Sequence, residues 1–169
     1  MLERTQSLTS RFDLLRQLGA GSHAQVWLAQ DRKERRQVAL KLTKAESQGE
    51  HTVDLDHEFV LSRRLRHPNV VQAFGVHRGV HQDQIHIALA MEYAACGDIS
   101  RLRGGSLREV LEIVAPIATA LGFIHRAGVV HRDVKSSNIL VMSDRSARLK
   151  PSPRATAGPM TSRRAADRM

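Results

Sequence analysis

One loop of the sequence carries three side chains whose types and spacing suit phosphoryl transfer. It runs from His131 to Asn138 and contains Asp133 and Lys135. In the transfer of a phosphoryl group to a hydroxyl, a carboxylate orients the hydroxyl and accepts its proton, an ammonium neutralises charge on the moving group, and an amide oxygen can hold Mg²⁺. Asp133, Lys135 and Asn138 could supply these groups in that order. An unrelated solvated loop is the alternative interpretation.

A glycine-containing turn near the start of the chain could cradle phosphates. Residues 12–18 predict a strand, Gly19, Ala20 and Gly21 predict a turn, and the apolar run from Val26 predicts a second strand. Glycines at such a turn let backbone N–H groups approach phosphates closely. A dinucleotide-binding fold would need a helix directly after the glycines, and the β-branched and aromatic residues here argue against one. An ordinary hairpin remains the alternative.

A third predicted strand, residues 37–43, carries Lys41 on one face, with Ala39 two residues earlier. A helix pattern follows it. Asp54 and Asp56 suit the positive end of a helix dipole, and the arginines after Glu58 suit its negative end. The pattern therefore predicts a helix that carries Glu58.

Residues 12–150 resemble a eukaryotic-type Ser/Thr protein kinase domain, because these motifs occur in the order and at the offsets of that family. Predicted strands at 70–77 and 86–92 lead to Met91-Glu92-Tyr93-Ala94, at the position of the family's hinge between lobes. The resemblance implies an α+β fold, with a five-stranded antiparallel sheet and one helix in the N-lobe, followed by the start of a helical C-lobe. It also implies ATP and Mg²⁺ as cofactors and a protein as substrate or docking partner.

The resemblance assigns roles to individual residues. Those that would bind ATP are Gly19, Ala20, Gly21, Val26, Ala39, Lys41, Glu58, Met91, Glu92 and Ala94. Lys41 would reach the phosphates and pair with Glu58, with an ordinary surface glutamate as the alternative. Asp133 and Lys135 would be catalytic, and Asn138 would hold Mg²⁺. Ser62 stands where the family has an apolar residue, so we expect the helix of Glu58 to dock loosely.

The next element of the family is absent. After a strand like Ala147–Lys150 the family has Asp-Phe-Gly, whose aspartate holds Mg²⁺. Here residues 151–169 contain no Val, Ile, Leu or aromatic residue, and they predict a disordered basic tail. Our hypothesis is that the coding sequence shifted frame or was truncated near Lys150. We therefore expect a Ser/Thr kinase with impaired transfer, or alternatively a non-catalytic pseudokinase fragment that binds ATP or docks a protein.

The chain divides into four predicted segments and carries one long helix pattern. The segments are a disordered lead-in at 1–10, the N-lobe at 11–92, the hinge and partial C-lobe at 93–150, and the tail at 151–169. A capping box at Ser106 and Glu109 opens a helix predicted at 106–126. Pro116 lies inside this helix and predicts a kink.

Composition and charge narrow the remaining functions. The 169 residues are 41% apolar and carry a net charge of +9, which could attract nucleic acid, anionic lipid or a phosphorylated ligand. The basic residues are scattered and aromatics are scarce, so we expect neither a nucleic-acid nor a membrane partner, while a basic nucleic-acid binder stays open as a third reading. His77, His81 and His86 lack a zinc spacing and are expected in loops. Cys96 is the single cysteine of the sequence, which excludes an internal disulfide. The polar start of the chain predicts a cytoplasmic protein.

Overall fold

The computed structural model describes residues 7–21, 24–45, 50–101, 106–152 and 155–157. Its strands are β1 (Phe12–Ala20), β2 (Ala24–Asp31), β3 (Arg36–Lys44), β4 (Ala73–His81), β5 (Gln84–Met91), β6 (Val129–Val130), β7 (Ile139–Val141), β8 (Ala147–Leu149) and β9 (Thr156–Ala157). Its α-helices are α1 (Glu50–Arg64) and α2 (Leu107–Arg126), and short 3-10 helices lie at Leu8–Ser10, Ile99–Arg101 and Ser136–Asn138.

Strands β1 to β5 form one antiparallel sheet in the order β1-β2-β3-β5-β4. Successive side chains of a strand point to opposite faces, and the central strand β3 shows this clearly. Val38, Leu40 and Leu42 are buried with Phe12 in the core on one face. Lys41 points to the other face. The predicted five-stranded antiparallel sheet of an α+β fold is confirmed.

Helix α1 packs against β4 through a buried serine. Ser62 is fully buried. Its hydroxyl donates to the Val71 carbonyl at 3.2 Å and accepts from the Ala73 N–H at 2.6 Å. The expectation that Ser62 loosens the helix does not hold, because two hydrogen bonds to the chain entering β4 replace the apolar contact that the serine lacks.

The segment before β4 pairs with β8 rather than with the large sheet. The N–H of Val71 donates to the Leu149 carbonyl at 2.9 Å, and the Leu149 N–H donates to the Asn69 carbonyl at 2.8 Å. The Asn69 side chain also donates to the carbonyl of Ala147. Strand β4 therefore begins later than the strand predicted at 70–77.

Helix α2 begins and ends as its sequence predicts. The Ser106 hydroxyl accepts from the Glu109 N–H, and the Glu109 carboxylate accepts from the Ser106 N–H at 2.7 Å, which completes the capping box. After the helix, Gly128 adopts a φ of +74°, a left-handed conformation that costs a glycine little. Pro116 lies inside the helix, and the kink there stays a prediction.

Only one side of α2 is covered by the described residues. Ile117, Ala120 and Ile124 are buried against β8 and the end of α1. The neighbouring stripe is exposed, and we call it the open face of α2: Leu107, Val110, Leu111 and Val114. None of the described helices is long and apolar enough to cross a lipid bilayer.

Two segments predicted to be disordered are partly ordered. Of the lead-in, residues 7–10 form a 3-10 turn in which Leu8 is buried against the large sheet. Of the tail, Ser152 and Ala155 are buried, and β9 pairs with β6. Both segments contain too few apolar side chains for a periodic signal, so their order follows from contacts with distant parts of the chain. Pro151 is also buried, and the other residues of both segments lie outside the described part of the chain.

The three histidines expected in loops lie on strands, His77 and His81 on β4 and His86 on β5. The rings of His81 and His86 meet at 5.6 Å, and the His77 ring packs 5.1 Å from that of Phe12. The described residues contain no cluster of three or more His, Cys, Asp or Glu side chains that could hold a metal ion.

Candidate functional site

A cleft of about 440 Å³ lies between the large sheet and the loop of Asp133. This volume is in the range of sites that bind cofactors. Of the residues predicted to form the site, those that line the cleft are Gly19, Val26, Ala39, Lys41, Glu58, Met91, Glu92, Ala94, Asp133 and Asn138. Ala20, Gly21 and Lys135 do not line it.

An ion pair between two residues of the cleft joins the sheet to α1. The Lys41 ammonium donates to the Glu58 carboxylate at 2.6 Å. The glutamate side chain is only 5% exposed and that of the lysine 23%. The alternative that Glu58 is an ordinary surface residue is therefore wrong. A buried charge of this kind requires its partner, so the pair fixes α1 and orients Lys41.

The glycine-containing turn leaves open space above the cleft. Gly21 donates its N–H to the Ala24 carbonyl at 2.8 Å across the turn, and Gly19 lies opposite Val26 in the β1–β2 pairing. A Cβ atom added to Gly19 would meet no atom of the described chain within 4 Å. This space is available to a ligand. Ser22 and His23, at the tip, lie outside the described residues.

The chain leaves β5 through residues that the resemblance assigns to a hinge. Met91, Glu92 and Ala94 all line the cleft, and Met91 is buried. The Glu92 carboxylate accepts from the Gln72 N–H at 3.0 Å and pairs with the Arg148 guanidinium. The side chain and the N–H of Glu92 are thus used within the protein, since the N–H donates to the Gln72 carbonyl at 3.0 Å, and a ligand could meet its carbonyl.

Hydrogen bonds from His131 hold the loop of Asp133 in place. The buried His131 ring bonds the Lys150 carbonyl through Nε2 at 2.7 Å and accepts the Asp133 N–H through Nδ1 at 3.3 Å. Between them Arg132 adopts a φ of +58°, a strained value for a residue other than glycine. Such strain persists only where the surroundings impose it, so the loop conformation is strongly determined.

Asp133, Lys135 and Asn138 lie together, as their spacing predicts. The Asn138 amide donates to the carbonyl and to Oδ2 of Asp133, both at 2.8 Å. The ammonium of Lys135 lies 3.0 Å from Oδ1 of Asp133, on a side chain that is 55% exposed. The Asp133 carboxylate is thereby held at the cleft with an ammonium beside it, although Lys135 itself does not line the cleft.

The cleft offers few oxygen ligands for a divalent cation. Mg²⁺ prefers octahedral oxygen ligands and is usually held by one or two carboxylates together with phosphate. Asn138 can offer one amide oxygen, and the Asp133 carboxylate already contacts Lys135 and the Asn138 amide. The Asp98 carboxylate also lines the cleft, and its Oδ1 accepts hydrogen bonds from Ser100. Lys150 also lines the cleft and adds a positive charge. This set of donors does not fit a firmly held Mg²⁺ ion.

Lys150 is a residue of the cleft that the sequence did not point to. Its N–H donates to the Asn138 carbonyl at 2.8 Å, which fixes its position directly after β8. Burial lowers the pKa of the Lys150 ammonium, and the Glu58 carboxylate opposes this shift only in part. Asp98, Pro151 and Ser152 also line the cleft without having been predicted to do so.

The sequence of this fold matches a known family. Residues 12–150 match the protein kinase domain, and the chain belongs to the protein kinase family. The match begins at the first residue of β1 and includes the cleft residues up to Lys150. The family implies the use of ATP and Mg²⁺, and of proteins as substrates.

The curated relatives are Ser/Thr kinases. The chain is 36% identical over 140 residues to serine/threonine-protein kinase Aurora-1 of Arabidopsis thaliana, which covers 78% of this chain and 46% of the relative. It is 32% identical over 143 residues to calcium/calmodulin-dependent protein kinase type 1B of Rattus norvegicus, which covers 82% of this chain and 40% of the relative. The chain thus spans less than half the length of either relative.

Proposed function

We propose that the chain is a Ser/Thr protein kinase domain that binds ATP in the cleft and transfers its γ-phosphate to protein Ser/Thr hydroxyls at a strongly impaired rate. The observation that carries the proposal is the pairing of Lys41 with Glu58 at 2.6 Å in the same cleft that Asp133 and Asn138 line. Phosphoryl transfer depends mainly on positioning and on electrostatic stabilisation, and these residues supply both.

In this proposal different residues of the cleft bind the adenine and the phosphates of the nucleotide. The backbone of Glu92 and Ala94 binds the adenine edge, and Met91 closes the back of the pocket. Gly19 lets the first hairpin cover the phosphates, because no side chain fills the space there. Lys41, held by Glu58, binds the α- and β-phosphates.

Asp133 acts on the acceptor. Its carboxylate orients the Ser or Thr hydroxyl and takes its proton, as the hydroxyl oxygen bonds to the γ-phosphorus and the bond to the bridging oxygen of ADP breaks. Lys135, 3.0 Å from that carboxylate, places positive charge beside the moving phosphoryl group. Transfer is impaired because the metal is poorly held, and metal stabilisation of the transition state is worth several kcal/mol.

A second function, ATP binding or protein docking without transfer, is favoured by the residues that follow β8. Lys150 and Pro151 line the cleft next to Asn138, where a second carboxylate for the metal would be needed. Such a protein would act through its nucleotide-bound shape rather than through chemistry.

Nucleotide binding is tested by thermal unfolding with saturating ATP. We expect the melting temperature to rise by about 5 °C or more, since ligand at a hundred times its Kd adds about 2.7 kcal/mol. Lys41→Met should lose most of this rise. Lys44→Met, at the exposed end of the same strand, is the matched control and should keep it. An unchanged response in Lys41→Met would show that the assignment of Lys41 is wrong.

Transfer is tested with radiolabelled ATP and a generic basic protein substrate. We expect a rate below about 0.1 s⁻¹, a thousandfold under the upper range for kinases, and a further fall in Asp133→Asn. Equal rates in the two proteins would favour the non-catalytic function. Robust turnover in the parent that the variant loses would show that another group supplies the metal ligand.

A further inference from the structure

Lys150 is fixed in the cleft by its backbone on both sides. Its N–H donates to the Asn138 carbonyl at 2.8 Å, and its own carbonyl accepts from the His131 ring at 2.7 Å. Both partners belong to the loop of Asp133. The side chain therefore starts from a position set by that loop, and it lines the cleft together with Lys41 and Asn138.

Three of the acidic groups that line the cleft are engaged with other cations, and a fourth, Asp98, accepts hydrogen bonds from the N–H and the hydroxyl of Ser100. Glu58 pairs with Lys41, Glu92 pairs with Arg148, and Asp133 pairs with Lys135. The carboxylates of Glu58 and Asp98 and the ammonium groups of Lys41 and Lys135 lie close enough to act electrostatically on the Lys150 ammonium.

A polyphosphate is the anion that such a cation suits. Nucleoside triphosphates carry several negative charges, which a protein must neutralise with metal ions or with its own cations. An ammonium is a compact charge with three donors, and its hydrogen bonds to phosphate are charge-assisted. In a partly buried cleft these interactions are screened less than in water.

We propose that Lys150 binds the terminal phosphates of the nucleotide in the position where a metal ion would be needed, so that the cleft binds ATP without Mg²⁺. This inference rests on the proposed binding of ATP. It follows from the poor set of metal ligands around Asn138 and from the placement of a second lysine, besides Lys41, in the same cleft. Bound metal and the Lys150 ammonium would compete for the same phosphate oxygens.

The test is the affinity for ATP measured by calorimetry in EDTA and in excess Mg²⁺, with adenosine as a ligand that lacks phosphates. For the parent protein we expect binding of ATP in EDTA at least as tight as in Mg²⁺. In Lys150→Met the Kd for ATP in EDTA should rise about ten- to a hundredfold, the range for losing a hydrogen bond to a charged group. Its Kd for adenosine should not change. Lys150→Arg, which keeps the charge, should retain most of the affinity, and Lys44→Met should behave as the parent.

The outcomes separate this inference from the proposed function. If neither ATP nor adenosine binds the parent under either condition, the proposed function itself fails. If adenosine binds but ATP binds tightly only with Mg²⁺, the inference fails and the function stands. If Lys150→Met binds ATP in EDTA as the parent does, Lys150 is not the phosphate ligand. The comparison of EDTA with Mg²⁺ uses the parent alone, so it can overturn the inference even if a variant does not fold.

Discussion

Charged side chains in the cleft connect elements that are distant in the sequence. Lys41 of β3 holds Glu58 of α1, and Arg148 of β8 holds Glu92 at the end of β5. Each pair is largely removed from solvent, so loss of one partner leaves an uncompensated charge and costs more than the pair itself contributes. These residues therefore serve both the shape of the cleft and its charge.

His77 makes stability depend on pH on the acid side of neutrality. Burial lowers its pKa below the usual 6.5. The unfolded chain then takes up a proton that the folded chain refuses, so stability is complete above about pH 6.5 and falls as the pH drops below it. Between pH 7.5 and pH 5.5 we expect the melting temperature of His77→Gln to fall less than that of the parent. The difference should be about 2–4 °C for each kcal/mol of stability that the substitution recovers.

The control for His77 is His57, which is exposed on α1. His57→Gln should keep the steep acid-side slope of the parent. A slope in His77→Gln as steep as that of the parent would show that burial of His77 does not drive the effect. His81, whose pKa burial also lowers, should account for part of the slope that remains.

Most residues that the motifs predicted for the cleft do line it, including Lys41 and Glu58 on different elements. Asp133 and Asn138 are five residues apart on one loop, so their meeting is a local matter. Lys150 was not predicted to line the cleft, because its position depends on the pairing of its backbone with Asn138 and His131. Local patterns do not show such contacts between distant segments.

Helix α1 is the element on which the cleft geometry most depends, since it carries Glu58. Its described side chains include few buried apolar groups, among them Leu61. Its register on the sheet is instead set by the two hydrogen bonds of Ser62 to the chain around Val71. A polar contact of this kind fixes direction and distance more narrowly than an apolar one.

Removal of the Ser62 hydroxyl should weaken both the fold and the cleft. Ser62→Ala leaves the Ala73 N–H buried without its partner, and we expect a loss of about 1–3 kcal/mol in the free energy of unfolding. Denaturant titration measures this loss. The melting-temperature rise with ATP should also shrink, because Glu58 is held less well. Ser143→Ala, at an exposed position, should change neither quantity; equal effects of the two substitutions would contradict the role of Ser62.

Element boundaries were predictable where the alternation of apolar residues decides them. Strands β2, β3 and β5 pair along the large sheet, and the apolar residues in their sequences predict these strands. The start of β4 was not predictable, because Val70 and Val71 are as apolar as a strand requires. Their backbone pairs with Leu149 instead. Tertiary contacts, rather than the local sequence, decide which strand this segment pairs with.

Considered as a whole, the molecule has a well-covered sheet and a less well-covered helical part. The open face of α2 contains Leu107, at 75% exposure, and three further apolar residues. Contiguous apolar surface of this kind promotes association. Leu8 in the first 3-10 turn and Ala155 just before β9 show the opposite tendency, since both are buried although their segments contain few apolar residues.

We expect the protein to self-associate through the open face of α2 as its concentration rises. Leu111→Gln with Val114→Gln should shift the population toward monomer in analytical ultracentrifugation. Arg108→Gln with Glu112→Gln, on the polar side of the same helix, is the matched control and leaves the net charge unchanged. Monodisperse monomer for the parent at high concentration, or equal association of both variants, would contradict this expectation.

The pairing of residues 69–71 with β8 has a consequence for how the protein is made. A ribosome releases the strands of the large sheet first, yet the Ala147 carbonyl that binds Asn69 is 78 residues further along the chain. At roughly 5–20 residues per second this corresponds to a delay of about 4–16 s. During that delay Val70 and Val71, which are buried in the finished protein, have no β8 to pair with. The nascent chain thus exposes an unpaired apolar segment for seconds, and its yield in cells should depend on the speed of translation between β5 and β8.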